Sequence, residues 1–110
     1  MLAEAGPLKL DVDVRGDQCV LSMIGELDVD TATLLRDIVV VLTEAPSGAP
    51  QVTVDLTELQ FMDSTGLGVM VEALALLRTA GGDLRLRSLN GSPKRVVELT
   101  GLDKVFDIAS

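Results

Sequence analysis

Strand-like and helix-like patterns of apolar residues alternate along this chain of 110 residues. Residues 8–15 switch strictly between apolar and charged side chains, a period of two that predicts a half-buried strand. The turn Gly16–Asp17 then leads into residues 18–24, which predict the partner strand of a hairpin. Because this second stretch is apolar at nearly every position, we expect it to be covered on both faces inside the sheet.

Helical and strand patterns follow in turn. Apolar residues recur at helical spacing through residues 34–42, after Asp28 and Asp30, either of which is a suitable helix cap. Residues 52–56 alternate again and predict a third strand, and residues 67–77 carry the apolar stripe of a second helix.

The last third of the chain predicts a fourth strand and a short third helix. Residues 84–87 alternate, and Ser92–Pro93 then offers a capping serine with a proline at the first helical position. Residues 105–108 are either a last short strand or a packed tail.

This order predicts an α/β protein with a mixed sheet of four to five strands, an N-terminal hairpin and helices packed on the sheet. Two right-handed strand-helix-strand crossovers make the second, third and fourth strands parallel. Residues 1–7 are expected to form an N-terminal tail, and residues 8–110 a single domain.

Composition excludes several classes of function. The net charge is −8 and the nine Lys and Arg residues are scattered, so we expect no direct binding of nucleic acid. No apolar run approaches the roughly 18 residues that span a bilayer, and the N-terminus lacks a signal-like pattern, which predicts a cytoplasmic protein without membrane contact. Since Cys19 is the only cysteine and histidine is absent, the sequence indicates no disulfide, zinc site or other cofactor.

Residues 54–68 join a predicted parallel strand to a helix, so they fall at the carboxyl edge of the sheet, where open α/β folds place functional groups. Ser64 is expected to cap the helix, with its hydroxyl accepting hydrogen bonds from the amides of Gly66 or Leu67. Gly66 and Gly68 each weaken a helix by about 1 kcal/mol relative to alanine, which is understandable if another molecule approaches the first turn closely. The alternative to a functional site is that Ser64 is only a helix cap and Asp63 only a turn former.

The run of residues 56–69 resembles the signature of bacterial anti-sigma factor antagonists, which are members of the STAS domain family. Gly25–Asp28 resembles the second recurring motif of that family, and the two motifs lie at matching spacing. The closing pattern from Ser92–Pro93 to residues 99–102 is also similar, so the likeness covers nearly all of residues 8–108. It implies a single STAS domain.

The resemblance also implies a switch. The serine at the position of Ser64 is phosphorylated in the family by an anti-sigma factor that is itself an ATP-dependent kinase, and a PP2C-type phosphatase removes the phosphate. By the same resemblance the unphosphorylated protein binds the anti-sigma factor and frees its sigma factor. Thr65 is a second candidate for modification. The residues expected to contact the partner are Glu26, Leu27, Asp28, Asp63, Thr65, Gly66, Leu67 and Gly68.

Two other functions are weighed against this one. A STAS protein can be a scaffold or regulatory subunit of a larger complex, stressosome-like or transporter-associated, without a sigma-factor partner. A hydrolase using Ser64 as nucleophile is not expected, because no histidine is present to act as its base.

Other possible sites are explained by structural roles. A divalent-cation site from neighbouring carboxylates is not favoured, since caps and turns explain most of those residues; they are Glu26, Asp28, Asp30, Asp55 and Asp63. Arg85 and Arg87 are interpreted as a solvated strand face, and Cys19 as a small core residue.

Overall fold

A six-stranded mixed sheet forms the centre of the computed structural model, which describes residues 1–109. The strands are β1 Leu2–Ala5, β2 Leu8–Arg15, β3 Gln18–Leu27, β4 Gln51–Met62, β5 Asp83–Arg87 and β6 Asp107–Ala109. The helices are α1 Ala32–Thr43, α2 Ser64–Thr79 and α3 Gly91–Leu99, with a 3₁₀ turn at Leu102–Lys104. No helix within this range is long and apolar enough to cross a membrane.

The strands lie side by side in chain order. β1, β2 and β3 are antiparallel neighbours, whereas β3, β4, β5 and β6 run parallel. The predicted α/β class, the mixed sheet and the N-terminal hairpin are therefore confirmed. Ser110, the last residue of the predicted domain, lies outside the described residues.

The sheet has more strands than the four or five expected. Residues 2–5, predicted to be part of a tail, form the edge strand β1, and the Val12 amide also donates to the carbonyl of Met1 at 2.7 Å. Their sequence is Leu-Ala-Glu-Ala, and in the structure these four residues alternate between exposed and half-buried, with none fully buried. Such a strand is stabilised mainly by its backbone pairing to β2, which an apolar pattern does not reveal.

One face of the sheet forms the core. Leu10 lies opposite Met23, and across the parallel strands Leu21, Val54 and Leu86 are neighbours in one row. The helices α1 and α2 contribute Leu35, Val39, Met70 and Leu77 to the same buried cluster. The core is thus mainly aliphatic, as the composition predicts, with Phe106 as an aromatic member.

The opposite face of the sheet is open. Val20, Ser22 and Ile24 of β3 are only partly buried there, beside charged residues of the neighbouring strands. The prediction that this strand is covered on both faces is therefore wrong. With the apolar residues Val20 and Ile24 on this face, the sequence of β3 looks like that of a fully buried strand. However, α1 and α2 pack on the opposite face of the sheet.

The strand β4 continues to Met62, well beyond the predicted residues 52–56, because its pairing with β3 resumes after each of two register shifts. Ser22 and Ile24 pair with Asp55 and Glu58, so β4 has one residue more than β3 at this point. Bulges of this kind bend a strand and change the direction of the side chains that follow.

The helix α3 begins at Gly91, one residue before Ser92, which was expected to be its cap. Asn90 is the N-cap and Gly91 the first helical residue, so Ser92 and Pro93 lie within the first turn. Proline is tolerated there because amides of the first turn have no intrahelical acceptor. The Asn90 side chain donates to the carbonyl of Ser88 at 2.7 Å, which fixes the entry to the helix.

Candidate functional site

The two sequence motifs meet where β3 and β4 end. Leu27 and Met62, the last residues of these strands, are paired in register, and the Asp63 amide donates to the Leu27 carbonyl at 3.2 Å. Because parallel strands present their carboxyl ends at one edge of the sheet, the ends of β3 and β4 and the loops that follow them lie side by side. Residues 25–28 belong to the first of these, and residues 61–68, which include the start of α2, belong to the second.

Asp63 connects these two loops through its carboxylate. Its Oδ1 accepts from the Gly66 amide at 2.8 Å, which makes Asp63 the N-cap of α2. Its Oδ2 accepts from the Val29 amide at 3.2 Å, in the loop between β3 and α1. One side chain therefore fixes both the start of α2 and the position of the other loop.

The prediction that Ser64 caps α2 is wrong by one residue. Ser64 is the first helical residue and is exposed. An ionised carboxylate is a stronger acceptor than a hydroxyl at the positive end of a helix, and Asp63 takes the Gly66 amide that Ser64 was expected to bind. The Ser64 hydroxyl is left at the surface, followed by the exposed Thr65.

Thr31 organises the loop that precedes α1. Its Oγ1 donates to the Glu26 carbonyl at 3.0 Å and accepts from the Asp28 amide at 2.9 Å, and the residue is only 2% exposed. Asp28 Oδ1 accepts from the amides of Asp30 and Thr31. Asp28 and Asp30 are thus not the N-cap of α1, which is Thr31.

Sequence reasoning missed the role of Thr31. The spacing Asp-x-x-Thr before an apolar helical pattern was the available signal, since both residue types bind nearby amides at helix starts.

Two glycines of the motifs are required by the fold itself. Gly25 has a φ of +103°, and a Cβ added there would lie 1.9 Å from the carbonyl oxygen of Pro7. A Cβ on Gly66 would lie 2.5 Å from the Leu27 carbonyl oxygen, so α2 approaches β3 closely at this point. Close packing within the chain thus explains Gly66, and the expectation that it clears room for another molecule is corrected.

Gly68 differs from these two glycines. An added Cβ there meets nothing within 4 Å, and the residue is exposed on the first turns of α2. Since neither backbone conformation nor packing requires glycine at this position, room for another molecule stays a prediction for Gly68 alone.

The residues expected to contact a partner divide into two groups. Leu27, Gly66 and Leu67 are buried and support the loops from inside, so they offer no side chain to a partner. The remaining predicted residues reach the surface fully or in part, and their contact with a partner stays a prediction; they are Glu26, Asp28, Asp63, Thr65 and Gly68. Two exposed apolar residues at this edge were missed, Val29 and Phe61, with 65% and 42% of their surface exposed.

The edge is acidic. Residues 16–35 and 37–77 contain no Lys or Arg, while Glu26, Asp28, Asp30 and Asp63 lie within or between the two loops. Arg36, between these two segments, is held by Glu72 on α2 through hydrogen bonds of 2.9 and 3.0 Å. We define the edge surface as residues 26–30 together with residues 61–68.

Asp55, the fifth of the carboxylates considered together, lies on the open sheet face. Its Oδ2 accepts from Arg87 at 2.9 Å and its Oδ1 from the Thr57 amide at 3.0 Å. Burial raises the pKa of Asp55, but the hydrogen bonds from Thr57 and Arg87 outweigh it and hold that pKa below the ordinary value. Within residues 1–109, no three acidic, cysteine or histidine side chains are arranged to hold a metal ion.

The other side chains weighed from sequence lie away from the edge surface. Arg85 is within 3.8 Å of Asp107, and Arg87 is bound to Asp55, so both arginines have carboxylate neighbours on the open face. Cys19 is buried in the core as expected, and burial raises the pKa of its thiol, which disfavours the reactive thiolate.

Comparison with known proteins agrees with this architecture. The family model of the STAS domain matches residues 9–110. The anti-sigma-B factor antagonist of Bacillus subtilis is 34% identical over 105 residues, which cover 94% of each chain, and that of Listeria monocytogenes is 36% identical over 92 residues, covering 84% of this chain and 79% of the relative.

Among solved structures, an anti-sigma factor antagonist from Mycobacterium paratuberculosis superposes with a TM-score of 0.76 at 27% identity. The match covers 92% of this chain and 84% of that one. With the family model matching almost the whole length, the chain belongs to the STAS domain family.

Proposed function

We propose that this protein is an anti-sigma factor antagonist. Its unphosphorylated form binds an anti-sigma factor through the edge surface and frees the sigma factor, and phosphorylation of Ser64 switches that binding off. The observation that carries the proposal is the exposed Ser64 hydroxyl at the start of α2, in a surface that Asp63 assembles from two separate segments. The named relatives in Bacillus subtilis and Listeria monocytogenes support the same function.

The position of Ser64 suits reversible modification. A kinase transfers the γ-phosphoryl group of ATP to the Ser64 oxygen, which loses its proton, and a PP2C-type phosphatase returns the serine by hydrolysing the ester. The exposed first turn of α2 gives both enzymes access. In the free protein the phosphate is solvated by water and lies at the positive end of the helix.

The added charge explains how binding is lost. Phosphorylation adds about −1.5 to −2 charges next to Asp63, on an edge that is already acidic. When a partner covers this surface, the phosphate loses water and is pressed against neighbouring groups. A penalty of about 4 kcal/mol is enough to weaken binding roughly a thousandfold.

Phosphate mapping tests the modification. The protein is incubated with ATP and each of its host's purified serine-kinase anti-sigma factors in turn, followed by intact-mass and fragment-ion spectrometry. We expect one phosphate, on Ser64, and none on Ser64→Ala. Thr65→Val, a change at the neighbouring hydroxyl, is the matched control and should be phosphorylated like the wild type. A phosphate found only on Thr65, or none with any kinase, contradicts the proposal.

Binding measurements with the same partners test the switch. Ser64→Ala should bind as tightly as the unphosphorylated wild type and stay bound in the presence of ATP. Ser64→Asp should bind about tenfold or more weakly than the wild type, because it adds a negative charge to the edge surface. The loss should be smaller than that caused by phosphate, since a carboxylate carries less charge. An aspartate variant that binds at full strength shows that charge at Ser64 does not control the interaction.

A further inference from the structure

The second register shift in β4 turns a phenylalanine out of the core. Leu59 pairs with Gly25, and Phe61 pairs with Glu26, so β4 gains one residue, Gln60, between these pairs. In an uninterrupted strand, Phe61 would share the buried face of Leu59, because side chains alternate with a period of two. Instead Met62 is 1% exposed and Phe61 is 42% exposed.

This arrangement sacrifices apolar burial. The chain has only two aromatic residues, and the other, Phe106, is 5% exposed. Phenylalanine has a large apolar side chain, so leaving 42% of its surface exposed forgoes part of the stabilisation that full burial would give. Bulges that redirect a side chain are over-represented next to functional sites.

A second apolar side chain is held at the same edge. Val29 is 65% exposed, and its backbone amide is fixed by Asp63 Oδ2 at 3.2 Å. Phe61 lies two residues before Asp63 in the chain. Val29 is therefore linked by a hydrogen bond to Asp63, the N-cap of α2, and Phe61 is linked to the same residue through the chain.

Acidic side chains accompany this pair. Glu26 is the register partner of Phe61, and Asp28 and Asp30 flank Val29 in the loop. No basic residue lies in the loop or strand segments that carry them. Exposed apolar side chains among acidic ones fit the pattern of protein interfaces, which have an apolar core and a polar rim and in which a few buried residues, often aromatic, supply most of the binding energy.

We infer that Phe61 and Val29 are the apolar anchors of the edge surface, and that the matching surface of its protein partner is an apolar pocket rimmed by Lys and Arg. This inference rests on the proposed function and specifies the chemistry of the partner. Ser64 directly follows Asp63, the residue that holds Val29, so under this inference a phosphate on Ser64 adds charge at the border of a contact that excludes water.

Calorimetric titration of the anti-sigma factor that binds the wild type tests the anchors. Phe61→Ala should weaken binding by about 30-fold, and Val29→Ala by a few fold. Phe61→Leu keeps an apolar side chain and should bind more tightly than Phe61→Ala. Leu99→Ala is the matched control, since Leu99 is 79% exposed on α3, outside the edge surface, and should bind within twofold of the wild type.

Salt separates the two kinds of contact. The loss caused by Phe61→Ala should be the same at low and high salt, whereas the loss caused by Asp30→Asn should shrink at high salt, since exposed charges are screened. Thermal unfolding checks that each variant folds; if Phe61→Ala does not, Phe61→Leu and Val29→Ala carry the test.

The outcomes distinguish the inference from the function beneath it. Wild-type protein that binds none of its host's anti-sigma factors overturns the proposed function together with the anchors. Wild-type binding with Phe61→Ala or Val29→Ala indistinguishable from Leu99→Ala overturns the anchors alone.

Discussion

Asp63 combines two structural roles in one side chain, and its removal should cost more stability than removal of the neighbouring hydroxyl. Asp63→Ala loses the cap of α2 and the link to Val29, so we expect a loss of about 1–2 kcal/mol in the free energy of unfolding. Ser64→Ala should change it by less than about 0.5 kcal/mol, because Ser64 is exposed and is not the cap. Urea unfolding measures both. Equal losses for the two variants would contradict the assignment of the cap to Asp63.

The choice between Asp63 and Ser64 could not be made from local sequence. Both residue types are good helix caps, and a pattern of apolar residues fixes a helix start only to within a residue or two. In the structure Asp63 is additionally held by Val29, which lies 34 residues earlier in the chain. The prediction placed the cap at Ser64, one residue too late, because the contact between Asp63 and Val29 that distinguishes the two residues is long-range.

At the scale of elements, the two glycines at the start of α2 should respond to substitution in opposite directions. Gly68→Ala should raise the free energy of unfolding by about 1 kcal/mol, since alanine is the better helix former and its Cβ meets nothing. Gly66→Ala should lower it by about 1–3 kcal/mol, because its Cβ would lie 2.5 Å from a backbone oxygen of β3 and α2 must shift. Chemical denaturation of the two variants measures this difference. Similar effects at both positions would contradict the close approach of α2 to β3.

Elements with a strong pattern were predictable, whereas details set by two elements together were not. The alternation in β2 and the stripe of α2 follow directly from burial on one side, and both were predicted. The length of β4 was not, since its two bulges arise from pairing with β3 and bring Phe61 to the surface. Among the residues of the edge surface, acidic and hydroxyl side chains were found through the motifs, and the apolar Val29 and Phe61 were missed because exposure cannot be read from residue type.

At the scale of the whole molecule, the relative direction of the strands was predictable. The alternation of strands and helices predicted two strand-helix-strand crossovers, and β3, β4 and β5 are parallel as expected. This rule does not state on which face each helix packs. The apolar residues Val20 and Ile24 suggested a sheet covered on both sides, but α1 and α2 cover one face and leave the other to charged side chains.

Three carboxyl groups with lowered pKa values make the stability of the whole molecule sensitive to acid. Asp55 on β4 accepts hydrogen bonds from Thr57 and from Arg87 on β5, and these hold its pKa below the ordinary value although burial acts in the other direction. Hydrogen bonds from Arg36 and from the Leu84 amide likewise lower the pKa values of Glu72 and Asp83. The unfolded chain regains ordinary carboxyl pKa values of about 4.

The sign of the pH dependence follows from these lowered values. As pH falls below about 4, the unfolded chain binds protons that the folded protein does not yet bind, so stability present at neutral pH is lost as pH approaches the folded values. Urea unfolding from neutral pH down to about pH 3 should show this fall. Asp55→Asn should show a shallower one, because its amide has no proton to gain, whereas Asp11→Asn, an exposed change in the same row of the sheet, should follow the wild type. If Asp55→Asn and the wild type lose stability in parallel, the link between β4 and β5 does not set the acid response.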